Sequence, residues 1–378
     1  SLIALNGSSL ANVYGGSDQN GEVGSSNVVI KKGNVVNVFG GNNAGGTTEN
    51  TNVTVDLAAE VVDGNETIIE GTASLSEQLS IENVFGGANG SGASVTGNTF
   101  TELKSGTITY DIFGGGNQAK VVSGTTVNMY DGSVRHLYGG GNRAFIGEAI
   151  VAESGDLIEG IEHAETHVNV VGGTIRSNVY GSGNASFVYG NTYIKIGNAA
   201  FETLGIQNGN RLYTNLSIGG SVFAGSETNT DKSTTYDEKY EGVAGDATHG
   251  KGLIEIDGLN YISGDRNNLT IGSSVYGSGN NSKVVNGSTI YIDNIGTEEH
   301  PMMMTTIQRA NNVYLTDTYI ELNGDRDRAD PDSYKYSLIR LEGIYLLGSS
   351  ADKGSHLYLR KSTSFLKSHY SGTMTTNA

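Results

Sequence analysis

Asp257 and Asp293 close two copies of one phrase, LIEID and TIYID. Two carboxylates at matching places of neighbouring repeats would stand about 5 Å apart if the repeats stack as parallel strands. That separation suits a pair of carboxyls sharing glycoside cleavage. A polysaccharide lyase would instead hold Ca²⁺ on stacked carboxylates and use a nearby Arg or Lys as base. No Arg or Lys recurs beside this pair, and Asp257-Gly258 and Asp293-Asn294 are ordinary turn dipeptides. Catalysis by Asp257 and Asp293 is therefore the minority reading, and no catalytic residue is expected.

Other groupings are weaker. HAETH at 163–167 carries two histidines four apart, but a metalloprotease needs H-E-x-x-H on a helix, and Glu165 is misplaced for that. Asp325, Asp327 and Asp330 alternate as calcium-loop ligands do. Arg328 stands where such a loop needs Gly, and Arg326 opposes a cation, so a plain surface loop is favoured. No cofactor is expected, and calcium is only weakly supported. No G-x-S-x-G or phosphate-binding loop occurs. For binding, the stretch SETNTDKSTTYDEKYEGVAGDATHG at 226–250 is the leading contact surface, because Tyr236, Asp237 and Tyr240 mix aromatic faces with charge.

What would position such residues is set by composition and repetition. The 378 residues include 56 glycines, two prolines and no cysteine or tryptophan. Glycine is far above its usual share, yet without the strict period of collagen. Zero cysteine excludes a disulfide scaffold and a thiolate metal site. A formal charge of −17 argues against nucleic acid or anionic membrane as partner. No apolar run is long enough to span a bilayer, so no direct membrane insertion is expected. Opening on Ser1 and closing on TTNA, the chain reads as a piece of a longer polypeptide.

An aliphatic–aromatic pair followed by glycines recurs at Val13-Tyr14, Val38-Phe39, Val84-Phe85, Ile112-Phe113, Leu137-Tyr138, Val179-Tyr180, Val222-Phe223 and Val275-Tyr276. The spacings are 25, 46, 28, 25, 42, 43 and 53 residues, a unit of about 25 carrying insertions. A second phrase alternates aliphatic and mostly polar residues, as at Val28/Ile30, Val53/Val55, Val127/Met129, Val168/Val170, Ile194/Ile196, Ile254/Ile256 and Ile290/Ile292. That is a strand with one buried face. Thr101 breaks the pattern, so its rung should pack least well. Outward residues such as Asn128, Lys195, Glu255 and Tyr291 show no common theme.

Short strands recurring every ~25 residues describe an all-β, right-handed parallel β-helix of about ten coils, a solenoid with loop insertions. Residues 1–300 would hold the glycine-cornered coils, and 301–378 more divergent coils, a cap or a junction. The glycines, Gly115 and Gly140 among them, are expected to turn each corner with φ > 0 where neighbouring coils leave no room for Cβ. Asn43, Asn89, Asn117, Asn142, Asn184 and Asn280 fall at one place after them and should stack as a hydrogen-bonded ladder. For the aromatic column the favoured expectation is that the strand bends and both members of each pair enter the core. A bare outward ladder of rings, a platform for sugars, is the alternative.

The phrases NVYGG, DIFGGGNQA, HLYGGGNRA and NVYGSGN, followed by GTTVNMYDGSV or GSTIYIDN, resemble the pectate-lyase-like β-helices of large bacterial surface proteins. VYLTDTYIELNG, YSLIRLEGIYLLGSS and HLYLRKSTSFLKS extend that likeness to almost the whole chain. The resemblance implies a non-catalytic adhesin or stalk on the extracellular face of a bacterial cell. Its partners would be a host or microbial glycan or a surface protein. End-to-end self-association into a fibre is the purely structural version, and a polysaccharide lyase, glycoside hydrolase or depolymerase is the enzymatic alternative. Insertions at about 57–78, 143–165, 198–214, 226–250 and 258–268 are where recognition loops would project.

Overall fold

A computed structural model describes residues 9–57, 80–148, 164–206, 215–227, 247–259, 268–297 and 300–322, except 32, 249, 281, 285 and 301, with short strands elsewhere. The protein is all-β: among the described residues 56% lie in strands and 3% in helix. Its strands form long parallel sheets, each repeat hydrogen-bonding to the repeat before and after it.

The alternating phrase builds the longest sheet. Val28 registers on Val53, Val53 on Thr101, Thr101 on Val127 and Val127 on Val168. The column runs on through Ile194, Ile254, Ile290 and Val313. The aliphatic–aromatic pairs build a second sheet of nine strands. Its last member is Ile307–Gln308, so Gln308 continues the column of rings beyond Tyr276. A third sheet collects Ser133–Val134, Gly173–Ile175, Asn215–Ile218 and Asn268–Ile271, the last two being the segments that resume after insertions. Aliphatic residues from all three sheets, such as Val53, Val38 and Ile218, enter one continuous core. A smaller core of Ala88, Val95, Ala119, Val121, Ile146 and Val188 lies beyond the glycine corner. Pairing does not stop at residue 301: Asn312–Thr316 lies on Ser288–Asp293, and Met302–Met304 pairs with Tyr319–Leu322. The only helix among the described residues, Asn198–Thr203, sits where an insertion begins.

The corner works differently from the expectation. Gly115 and Gly140 do not take positive φ; that conformation falls on residues after the ladder asparagines, Gly90, Gln118, Arg143 and Ala185. What the corner glycines supply is closeness. A Cβ on Gly115 would stand 2.9 Å from Gly141 N, and one on Gly140 would stand 3.0 Å from Gly183 N. Adjacent repeats approach there until only hydrogen fits between them.

A column of hydroxyls ties this corner to the long sheet. Thr51 donates to Gly86 O at 2.6 Å, Thr99 to Gly114 O at 2.6 Å, Thr125 to Gly139 O at 2.5 Å and Thr166 to Gly181 O at 2.5 Å. Each hydroxyl crosses to the glycine of the following repeat, which satisfies a carbonyl at a bend where its partners are few. On the face of these strands turned away from the main core, residues are matched in pairs rather than freely varied, and Asn128 and Asn169 are buried there rather than outward in solvent. Asn169 Nδ2 donates to Asn128 Oδ1 at 2.9 Å, Lys195 meets Glu255 at 3.2 Å, and Tyr291 stacks on Tyr314 at 4.7 Å.

Thr101 occupies the aliphatic column between Val53 and Val127, and it is 1% exposed. Its hydroxyl has no hydrogen-bond partner among the described residues. A buried hydroxyl left unpaired costs about 1–3 kcal/mol. Thr101→Val keeps the shape and removes that cost, so it is expected to raise unfolding stability by about 1–2 kcal/mol in urea titrations. Lower stability would show that the hydroxyl is satisfied.

Candidate functional site

Within each aliphatic–aromatic pair the two side chains part company. Val13, Val38, Val84 and Ile112 belong to the main core, whereas the rings form a separate cluster on the other side of the sheet. The expected bend does not occur: both members of each pair stay in parallel register, so alternation sends the ring away from the core. The rings are not a bare platform either. From Tyr14 to Tyr276 successive centroids lie 4.5–5.0 Å apart, with planes within 9° of parallel. Each ring covers its neighbours' faces, so Phe39, Phe85 and Phe113 are only 3–5% exposed. At the end of the stack the Arg309 guanidinium lies 5.7 Å from the centre of Tyr276.

Two polar columns flank the rings. On one side Asn43 donates to Asp18 at 2.8 Å, Asn89 to Asn43 at 2.8 Å and Asn117 to Asn89 at 2.8 Å. Asn142 continues to Asn117 at 2.9 Å, and Asn184 to Asn142 at 3.2 Å. Each carboxamide donates one way and accepts the other, so polarity runs unbroken along the column. Asn280 stands apart from this run: it is exposed, its backbone N–H donates to Ser226 O, and Glu227 occupies the intervening rung. On the other side Asn37 donates to Asn12 at 3.0 Å and Asn83 to Asn37 at 3.1 Å, and Asp111 takes the next rung. This second column precedes the pairs in NVY, NVF and DIF, and its spacing of one residue before each aliphatic is the signal that would have revealed it.

Between the columns runs a groove of about 350 Å³ with rings at its floor. Asn12, Asn37, Asn83 and Asp111 line one side and Asn89, Asn117, Asn142 and Asn184 the other. All three columns turn ionisable near one end. Asp111 is gripped by Arg135 through Nη2 at 2.6 Å and Nε at 3.0 Å, and Arg135 lies 4.9 Å over Tyr110. The Asp111 bond holds the guanidinium even more firmly protonated than usual. Tyr138 donates its hydroxyl to Glu227. Burial, reinforced by the Glu227 carboxylate, pushes the phenols of Tyr138 and Tyr180 well above their ordinary range. Burial also lowers the pKa of His136, outweighing the opposite pull of Asp111 and Glu227. This end is a neutral imidazole and two neutral phenols around a carboxylate.

The other candidates fare as follows. Asp257 and Asp293 do stand in register on neighbouring strands. The Asp257 carboxylate is held by three hydrogen bonds, accepting from Asn198 Nδ2 at 2.9 Å, Asn294 Nδ2 at 2.9 Å and the Leu259 N–H at 2.9 Å. It fastens the start of the short helix and the next turn. His167 stacks on Tyr193 at 4.8 Å and lies 3.2 Å from Glu165, while His163 is outside the described residues. Tyr236, Asp237 and Tyr240 also lie outside them, as do Asp325, Asp327 and Asp330. No group of three metal-binding side chains occurs among the described residues. No family model, curated protein or solved structure matches the chain.

Proposed function

We propose that the chain is a non-catalytic, extracellular module of a bacterial surface protein, an adhesin or stalk coiled as a right-handed parallel β-helix. What supports the coil is that repeats pair in parallel with the repeats before and after them, around one shared aliphatic core. Right-handedness follows the general preference of parallel crossovers. Binding takes place along the flank. The observation that carries this reading is the groove, whose walls present a carboxamide at seven of eight positions, four from Asn12 to Asp111 on one side and four from Asn89 to Asn184 on the other. An active site needs a few groups converging on one point, whereas a periodic surface offers the same contact many times. The 226–250 insertion leaves the repeat at Glu227, which is hydrogen-bonded to Tyr138 in the same column of rings.

Immobilised protein should retain cells, mucins or polysaccharides from a glycan panel without altering them. Release of new reducing or unsaturated ends would overturn the non-catalytic reading in favour of a depolymerase. Failure to retain any surface or glycan would leave the stalk alone.

A further inference from the structure

We infer that the groove between the two carboxamide columns binds a neutral, linear, hydroxyl-rich glycan whose chain runs along the repeats, about one sugar per rung. The inference deepens the flank-binding reading above and rests on it.

The floor restricts the ligand first. Ring faces are closed to each other at 4.5–5.0 Å, so neither a cation nor a flat sugar face can lie on them. What the rings offer is their edges, whose hydrogens carry partial positive charge and favour oxygen atoms. A quaternary ammonium or a lysine-rich segment, which would need an open face, is disfavoured.

The sides restrict it further. A carboxamide has two N–H donors and an oxygen with two lone pairs. The bonds along the column use one donor and one lone pair of each inner asparagine, as at Asn117. Asn89 also meets the Tyr14 hydroxyl, and at Asn43, Asn117 and Asn142 one donor and one lone pair remain for a ligand. Hydroxyl groups, which both give and accept, match that offer from either side.

Charge excludes the anionic polymers. The lining contains one ionic group, Asp111, already neutralised by Arg135, and the whole chain carries −17. Nothing in the groove rewards a uronate, a phosphate or a sulfate.

Spacing separates a glycan from a peptide. An extended peptide presents like side chains every two residues, about 6.7 Å. The columns repeat at the 4.5–5.0 Å of the ring stack, so a peptide falls out of step within two or three rungs. An extended polysaccharide advances by roughly one rung per sugar and stays in register. Glu227, reaching to Tyr138, marks where the neutral lining ends.

The test titrates the whole chain with hexasaccharides of β-1,4-glucose, β-1,4-mannose and α-1,4-glucose, and with hexagalacturonate, each with and without EDTA. At least one neutral hexamer should bind, should bind tenfold more tightly than its dimer, and should be indifferent to EDTA. Asn37→Arg and Asn12→Arg put a long cation into the groove from its rim and should each weaken that binding at least tenfold. Asn12 is exposed, so its variant keeps the fold even if Asn37→Arg does not, and thermal melts check both. Three results would overturn the assignment: no neutral hexamer binds, hexagalacturonate binds better, or the Arg variants bind as the wild type does. Retention of cells or mucin by the same protein, measured alongside, separates failure of this groove from failure of the adhesin reading.

Discussion

Gly114→Val is expected to cost about 3 kcal/mol or more, enough to remove a large part of the stability of an ordinary domain. An added Cβ would stand 2.2 Å from Gly139 O, 2.9 Å from Val127 Cγ2 and 3.1 Å from Thr125 Cβ. The first of these contacts is backbone and cannot swing aside. Gly139 O also accepts the Thr125 hydroxyl at 2.5 Å, so pushing it away breaks a second interaction. The chain contains its own control. In the repeat where Ala224 replaces this glycine, the facing position of the long sheet is Gly252, where other repeats have Thr or Ser. A Cβ on Gly252 would lie 2.7 Å from the Ala224 Cβ, so the two positions share room for one side chain. Accordingly Gly114→Ala should cost about 2–3 kcal/mol alone, and adding Thr125→Gly should recover part of it. Urea unfolding at constant m-value reads both. A Gly114→Val protein as stable as wild type would mean that the repeats are not stacked this closely.

The parallel register was legible because two independent periodicities agree. Aliphatic alternation around Val53, Val127 and Val168 fixes which face is buried, and the recurring ring and glycine fix where each repeat begins. The role of the glycines was misassigned because glycine serves two needs that leave one signature. A left-handed φ and a missing Cβ both read as Gly, and only neighbouring backbone atoms tell them apart. The left-handed positions were in plain view as Gly90, Gln118, Arg143 and Ala185, but three of the four are not glycine. The Thr51, Thr99, Thr125 and Thr166 column was equally visible. It passed as ordinary strand composition because Thr suits strands without any special bond.

The asparagine ladder was readable from spacing, since stacked amides need only the same residue at the same place. The groove was not, although every residue lining it recurs in the sequence. Alternation alone leaves two fates for the ring of each pair. The choice depends on whether the strand runs straight through Phe85 and Phe113 or bends at the glycines behind them. It runs straight, and the rings bury one another. The matched pairs on the outer face were missed for a related reason. Asn128 with Asn169, and Lys195 with Glu255, look unrelated along the chain and complementary only across it.

Removing one inner rung of the ladder tests how much those repeated amides hold. Asn117→Ala loses the bond donated to Asn89 at 2.8 Å and the one accepted from Asn142 at 2.9 Å. At about 1 kcal/mol each, the expected loss is about 2 kcal/mol, since water can reach only part of the half-buried site. Asp18→Ala, at the exposed end of the same column, removes a single acceptor and should be hard to distinguish from wild type. Asn117→Asp is the sharper variant, because it turns the donor facing Asn89 Oδ1 into a second acceptor. At neutral pH it should be less stable than the Ala variant. Protonation returns an O–H donor to the ladder, so the folded state binds that proton more tightly than the unfolded chain does. The Asp variant should therefore gain on wild type as pH falls, the direction linkage requires for a group that holds its proton better when folded. Denaturant titrations at pH 7 and pH 4 measure all three. Equal losses for Asn117→Ala and Asp18→Ala, or an Asp variant indifferent to acid, would mean that the ladder contributes shape without holding the repeats together.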